Sequence, residues 1–144
     1  MKTRKRKIRR KSFEIRFYEQ LVSSEPNFIE ALSCLGDAYT RGGLFNEGLQ
    51  VDLRLIQLKP NDPIVYYNLA CSYSLLDERD QAFEALKKAI LLGYDDFSYL
   101  FKDKDLENLR RDVRFERLMS KIRSRFLRLQ QKTPPLEHEP LPEI

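Results

Sequence analysis

Displacing the 144-residue sequence by 34 positions brings its apolar and small residues into register. Leu35 then meets Leu69, Tyr39 meets Tyr73, Leu49 meets Phe83 and Ile56 meets Ile90, while Gly36 meets Ala70 and Gly48 meets Ala82. Pro26 and Pro60 are also 34 apart, which carries the period upstream into part of a further unit. A period of this length means supersecondary units that are each too small to bury an apolar face alone. Stacked neighbours must complete a shared core.

Each unit reads as two helices. In the first, Asn27 precedes FIEALSCLGDAYT and Glu30 stands three residues later, the pattern of a capping box. Ile29, Leu32, Leu35 and Tyr39 recur at helical spacing. Gly42 and Gly43 supply the positive φ that a tight turn needs. A second helix is expected from about Phe45 to Leu58, with Leu49, Leu53 and Ile56 on one face and Pro60 ending it. The second unit opens with Asp62 as N-cap and Pro63 at the first helical position, where its missing N–H costs nothing. Its first helix runs to about Leu76, the chain turns at DERD, and helix resumes to Leu92 before Gly93.

This register resembles the tetratricopeptide repeat. That family sets a large residue, a Leu-Gly or Leu-Ala pair, a Tyr, a small residue, an aromatic and a closing Pro at fixed places. In the first repeat these are Leu32, Leu35-Gly36, Tyr39, Gly48 and Pro60, with Gly43 and Phe45 at the turn. In the second they are Tyr66, Leu69-Ala70, Tyr73, Ala82 and Ala89. Asp52 departs from the pattern where an apolar or aromatic residue is common, Leu55 where Ala is common, and Tyr94 where the closing Pro would stand. The resemblance implies an all-α fold: a tetratricopeptide-like, right-handed superhelix of helical hairpins, an α-α solenoid of about seven helices.

The flanks take their roles from that frame. Residues 12–24 look like the second helix of a preceding unit, since Tyr18 and Leu21 fall 34 residues before Asp52 and Leu55. The segment GYDDFSYLFKDKDLENLRRDVRFERLM is similar to the end of some bacterial repeat arrays: a short helix, an extended turn carrying DLxxLRxDxRFxxL, and a last helix. Val113, Phe115, Leu118, Met119, Ile122, Phe126 and Leu129 would give that last helix an apolar stripe, as a capping helix requires. The expected organisation is a flexible basic arm over 1–11, a single-helix partial repeat over 12–26, repeats over 27–60 and 61–94, a degenerate repeat with capping helix over 95–131, and a disordered Pro- and Glu-rich tail over 132–144.

Charge divides along the same lines. The net value of +4 comes from 26 Lys and Arg against 22 Asp and Glu. Residues 1–11 hold eight basic and no acidic side chains, 12–109 nine basic and seventeen acidic, 110–132 nine basic and two acidic, and 133–144 three Glu. An acidic body therefore lies between two basic ends. No apolar run approaches the roughly 18 residues a membrane helix needs, and no apolar stretch follows the basic start as in a secretory signal. A cytoplasmic protein is expected.

The inventory leaves little room for catalysis. His138 is the sole histidine and lies in TPPLEHEPLPEI, a proline-rich tail expected to be disordered, so catalysis by Cys or Ser with a His base fails on inventory. Two cysteines, Cys34 and Cys71, exclude a disulfide framework and a four-thiolate zinc site, and read as small packing residues. Asp77-Glu78-Asp80 and Asp103-Asp105 lack the glycine-turned loop of a calcium site and read as solvated turns and N-caps. Gly42-Gly43 has no following Lys-Ser or Lys-Thr for a phosphate loop. The expectation is a non-enzyme, with no catalytic residue, metal or cofactor assigned.

Stacked helical pairs instead create a concave surface lined by the first helix of each unit. The resemblance implies that this groove binds a peptide or helix of a partner protein. Its inward positions are Glu30, Ser33, Asp37 and Thr40 in the first repeat, and Ile64, Tyr67, Asn68, Cys71 and Ser74 in the second. Ser98, Phe101 and Lys102 would continue the surface. Tyr67 and Asn68 are the favoured contacts, a rigid aromatic and an amide able to hold extended backbone. Family members that grip a chaperone's terminal carboxylate use Lys-Asn, Asn and Lys-Arg at positions held here by Ser33 and Asp37, Asn68, and Ser98 and Lys102. Only two of the five fit, and Asp37 opposes an anion, so a neutral or basic segment is favoured.

Two other partners are considered. Arg4, Lys5, Arg6, Lys7, Arg9 and Arg10, with Arg114, Arg117, Lys121, Arg125 and Arg128 on the last helix, form an anionic-surface alternative: contact with nucleic acid or the ribosome. No aromatic interrupts the arm before Phe13, so base stacking is not indicated. A homo-oligomer is the other, through the unpaired N-terminal helix.

Overall fold

The computed structural model describes residues 11–132, and its turns repeat as the sequence does. The N–H groups of Gly43 and Leu44 donate back to the carbonyls of Thr40 and Tyr39; 34 residues later, Asp77 and Glu78 donate back to Ser74 and Tyr73. Both are Schellman ends, which place the residue after the cap at positive φ. Gly43 takes φ 72° and Asp77 takes φ 57°. Gly93, at φ 110°, closes a third such end with Tyr94 bonded back to Ala89.

Between these turns run α1 (Phe13–Ser24), α2 (Ile29–Arg41), α3 (Phe45–Leu58), α4 (Pro63–Leu75) and α5 (Arg79–Leu91). Then follow the short α6 (Phe97–Leu100), a 3-10 turn (Lys104–Leu106), the short α7 (Glu107–Arg110) and the long α8 (Val113–Lys132). Among the described residues the fold is all-α, with eight α-helices and no strand. The chain divides into two compact units, one reaching Arg111 and one starting at Asp112.

In the first unit, α2 with α3 and α4 with α5 form the two hairpins, with α1 against α2. Ile15, Leu32, Leu35, Ala38, Tyr39, Val51, Leu55 and Val65 make one core cluster drawn from α1 to α4. Small residues let the helices approach. A Cβ on Gly36 would stand 3.3 Å from Val51 Cγ1, and one on Gly48 would stand 3.3 Å from Thr40 Oγ1. At the equivalent places in the second hairpin Ala70 and Ala82 are completely buried. α1 is capped by Ser12, whose Oγ accepts from Ile15 N at 3.2 Å. It is tied to α2 by Glu14 with Arg41 (2.7 and 3.1 Å) and by Tyr39 donating to Glu19 at 2.9 Å.

Two expectations need correction. α2 starts at Ile29 with Phe28 at its cap and no side-chain cap bond. Asn27 does not cap it, because its amide oxygen lies one residue too early and accepts instead from the Arg54 guanidinium of α3. Asp62 does cap α4, accepting from Ile64 N and Val65 N at 2.9 and 3.4 Å. The second correction concerns residues 101–111, expected as an extended turn. They wind into helical turns because Asp103 accepts from Asp105 N at 3.0 Å, and the Arg110 guanidinium donates to the carbonyls of Leu100 and Asp103. Leu100, Leu106 and Leu109 are fully buried beneath them.

Asp52, the polar departure in α3, is buried at the junction of the two hairpins. Ser72 of α4 donates to its Oδ2 at 2.5 Å. Burial pushes the Asp52 carboxyl up to about 7; the Ser72 bond offsets part of the rise and the charge of Asp37 adds to it. A buried carboxylate with one neutral donor loses more in hydration than it regains.

Among the described residues the second unit holds Asp112 and α8. Asp112 accepts from the Arg114 amide at 3.0 Å and pairs with its guanidinium at 2.9 Å. Of the expected apolar stripe, Phe115 and Met119 are buried, whereas Val113, Phe126 and Leu129 are more than half exposed. No described helix is long and apolar enough to cross a membrane.

Candidate binding face of the first helices

The inward positions of α2 and α4 separate into a surface layer and a buried one. Ser33 and Asp37 of α2 are exposed, as are Ile64 and Asn68 of α4 and Phe101 and Lys102 beyond α6. Thr40 is half-buried, its hydroxyl turned back to donate to the Gly36 carbonyl at 3.1 Å. Tyr67, Cys71 and Ser74 are buried, with 4%, 7% and 0% of their surface exposed, which corrects their expected place in a groove. The segment after Gly93 covers that stripe of α4. Tyr94 stacks flat on Tyr67 with centroids 4.2 Å apart, and Asn108 donates to the Ser74 carbonyl at 2.9 Å.

Beneath the surface lies a polar network. The Tyr67 hydroxyl donates to Asp103 Oδ2 at 2.7 Å, and the Cys71 thiol lies 3.6 Å from the same oxygen. Asp103 is buried, and its other oxygen caps Asp105 N. Burial raises the Tyr67 hydroxyl far above its ordinary value, with the Cys71 and Asp103 charges adding to it. Burial likewise raises the Cys71 thiol, which therefore stays protonated and donates. Cys71, Asp103 and Asp105 bring ligand-type atoms within 4.8 Å of one another. With both Asp103 oxygens already engaged, the group serves here to fix the 3-10 turn against α4.

Tyr99 stands at the rim of this network. Its ring is 53% exposed and its centroid lies 6.2 Å from that of Tyr67. The Asp103 charge, then burial, then Cys71, Asp105 and Asp37 raise its hydroxyl above the ordinary value. Asp37 lies on α2 and Asp105 on the 3-10 turn. Burial raises both carboxyls; Arg41 opposes the rise at Asp37, and Asp103 adds to it at Asp105. Sequence reasoning missed Tyr99 because the 34-residue register equates it with Val65, a buried core residue of α4.

Of the anionic-surface candidates, Arg4, Lys5, Arg6, Lys7, Arg9 and Arg10 lie outside the described residues, as does His138. Arg117, Lys121, Arg125 and Arg128 are exposed on α8, while Arg114 is half-buried and paired with Asp112. At the start of the first unit Phe13 and Phe17 of α1 are exposed and stack with centroids 6.4 Å apart.

No family model matches the sequence. Over 112 residues the chain is 30% identical to a chloroplastic protein of Arabidopsis thaliana, a match covering 76% of this chain and 32% of that protein. Among solved structures it is similar to MamA, at 32% identity and a TM-score of 0.52, over 55% of this chain and 46% of that one. The chain thus spans about a third of the length of the curated relative and under half of MamA. MamA is tetratricopeptide-like, and the likeness establishes a tetratricopeptide-like solenoid fold for this chain.

Proposed function

We propose that the chain is a non-catalytic protein-interaction module or scaffold, holding a peptide or helix of a partner protein in the concave groove of its repeats. One observation carries this reading: exposed Ser33, Asp37, Ile64, Asn68 and Tyr99 stand along the first-helix side of a fully packed hairpin stack. Ile64 and Tyr99 are each more than half exposed, large apolar side chains of the kind interfaces use. The tetratricopeptide-like fold of MamA supports the same conclusion.

The test is site-specific photo-crosslinking in cell extract, with the crosslinker at Asn68 or at Gln57, an exposed residue of α3. Crosslinked polypeptides concentrated at Asn68 support the module. Equal yields at the two places contradict it.

A second reading rests on α8. Arg117, Lys121, Arg125 and Arg128 recur at three- and four-residue spacing and are all exposed, a face suited to phosphates of nucleic acid. Charge reversal at Arg117, Lys121 and Arg125 should then abolish binding of a random-sequence RNA oligonucleotide at low salt. Unchanged binding would rule the reading out.

A further inference from the structure

We infer that α8 rests in the surface of a bilayer carrying anionic phospholipid, with the apolar side chains of its last two turns among the lipid and its cations at the headgroups. The inference goes beyond the groove and does not depend on it. An apolar stripe runs along α8 through Phe115, Met119, Ile122, Phe126 and Leu129, spaced by four and three residues in turn. Phe115 and Met119 are buried, but Phe126 and Leu129 are 59% and 57% exposed. Leu127 is 51% exposed and stands about 100° around the helix from Phe126. Together the three span nearly half the circumference of the helix end, wider than the seam that one partner helix covers. A helix lying in a lipid surface has that whole side in apolar surroundings.

Charge complementarity chooses the occupant. From Arg117 to Lys132 the helix carries six basic side chains and no acidic one. Arg117, Lys121, Arg123, Arg125 and Lys132 are exposed and pair with no carboxylate among the described residues. In the first unit, by contrast, Arg41, Lys59, Lys87 and Arg111 each face a carboxylate within 3.4 Å. A second copy of α8 offers no carboxylate over this stretch to set against the cations, so like charges would oppose the pairing. A nucleic acid satisfies the cations but leaves Leu127 and Leu129 in water. An anionic bilayer meets both needs. Arg123 and Arg125 border the apolar stripe on its two sides, where their stems lie along lipid while the guanidinium groups reach phosphate. The negative potential of such a surface attracts each of these cations.

The experiment is co-flotation of the full chain, at low salt, with vesicles of phosphatidylcholine alone or of equal parts phosphatidylcholine and phosphatidylglycerol. The chain should float with the anionic vesicles and stay behind with the neutral ones. The sequence contains no tryptophan, so Phe126→Trp gives a single reporter, whose emission should move to shorter wavelength on the anionic vesicles. The F126S/L127S/L129S variant should bind them about tenfold more weakly or worse, and Arg125→Gln about fivefold more weakly. Asn68→Ala, in the groove, should leave flotation as it is. Undiminished binding of the serine variant would mean attraction without apolar contact and overturn the inference. Binding that neither α8 variant alters would assign the attraction to another part of the chain, with the same consequence. Equal flotation with both kinds of vesicle overturns it too, as does flotation with neither when the chain instead binds a random-sequence RNA oligonucleotide. Circular dichroism of each variant, with the helical signal unchanged, keeps a folding defect from imitating a loss of binding.

Discussion

Tyr67 of α4 donates its hydroxyl hydrogen to Asp103, 36 residues further along the chain, at 2.7 Å, in a setting where both side chains are buried. This bond joins the second hairpin to the irregular segment that follows it. Tyr67→Phe removes the strongest donor to a buried carboxylate and keeps the ring that stacks on Tyr94. The loss should cost about 2 kcal/mol, because a hydrogen bond to a carboxylate is about twice as strong as a neutral one, and only the Cys71 thiol and the Asp105 amide remain on Asp103. Urea unfolding of the two proteins measures it. A change below about 0.5 kcal/mol would mean that water replaces the hydroxyl.

Asp52 should make stability depend on pH. Its folded pKa of about 7 stands above the ordinary 3.8, so the folded state binds the proton more tightly than the unfolded one. Its contribution is favourable below about pH 4 and is lost as pH rises towards about 7, by roughly 4 kcal/mol across that window. Asp52→Asn keeps an acceptor for Ser72 and removes the titration. The difference in unfolding free energy between variant and parent should therefore grow from about pH 4 to about pH 7, with the variant the more stable at about pH 8. A constant difference would show that Asp52 ionises freely.

The two hairpin turns offer a backbone test. Gly43 and Asp77 occupy equivalent places at positive φ, where a side chain is strained. Asp77→Gly should stabilise the protein by about 0.5 kcal/mol, since aspartate tolerates this region better than most residues and its exposed pair with Arg79 is worth little. Thermal unfolding with a slightly raised midpoint is the expected result.

Arg110 provides a local one. Its guanidinium spans the carbonyls of Leu100 and Asp103. Arg110→Ala should speed amide exchange at Asp103, Asp105 and Leu106 while leaving the interior of α2 at its parental rate, because a charged donor to two carbonyls is lost only there. Uniform acceleration along the chain would point to global destabilisation instead.

These residues show which features are legible in the sequence. The 34-residue period locates α2 to α5, since Leu35 and Leu69 or Gly48 and Ala82 face the same packing problem twice. Asp62 followed by Pro63 fixes the start of α4 through backbone chemistry alone. Asn27 misleads because its cap geometry competes with Arg54, 27 residues away, and no local pattern reports that contact. The period alone puts Tyr67, Cys71 and Ser74 in the groove. They are buried because Tyr94, Asp103 and Asn108 stack on them or bond to them, contacts that a 34-residue period does not report. Tyr99 is hidden because the register equates it with the buried Val65, while Asp37 and Asn68, on regular helices, stand exposed.

The most direct measurement is an amide chemical-shift map of the full chain titrated with a peptide enriched on it from a random dodecapeptide library. Binding in the first-helix groove predicts the largest shifts at Ser33, Asp37, Asn68 and Tyr99, with α3 and α5 nearly still. Shifts centred instead on Phe13 and Phe17 of α1, or on the basic face of α8, would contradict it.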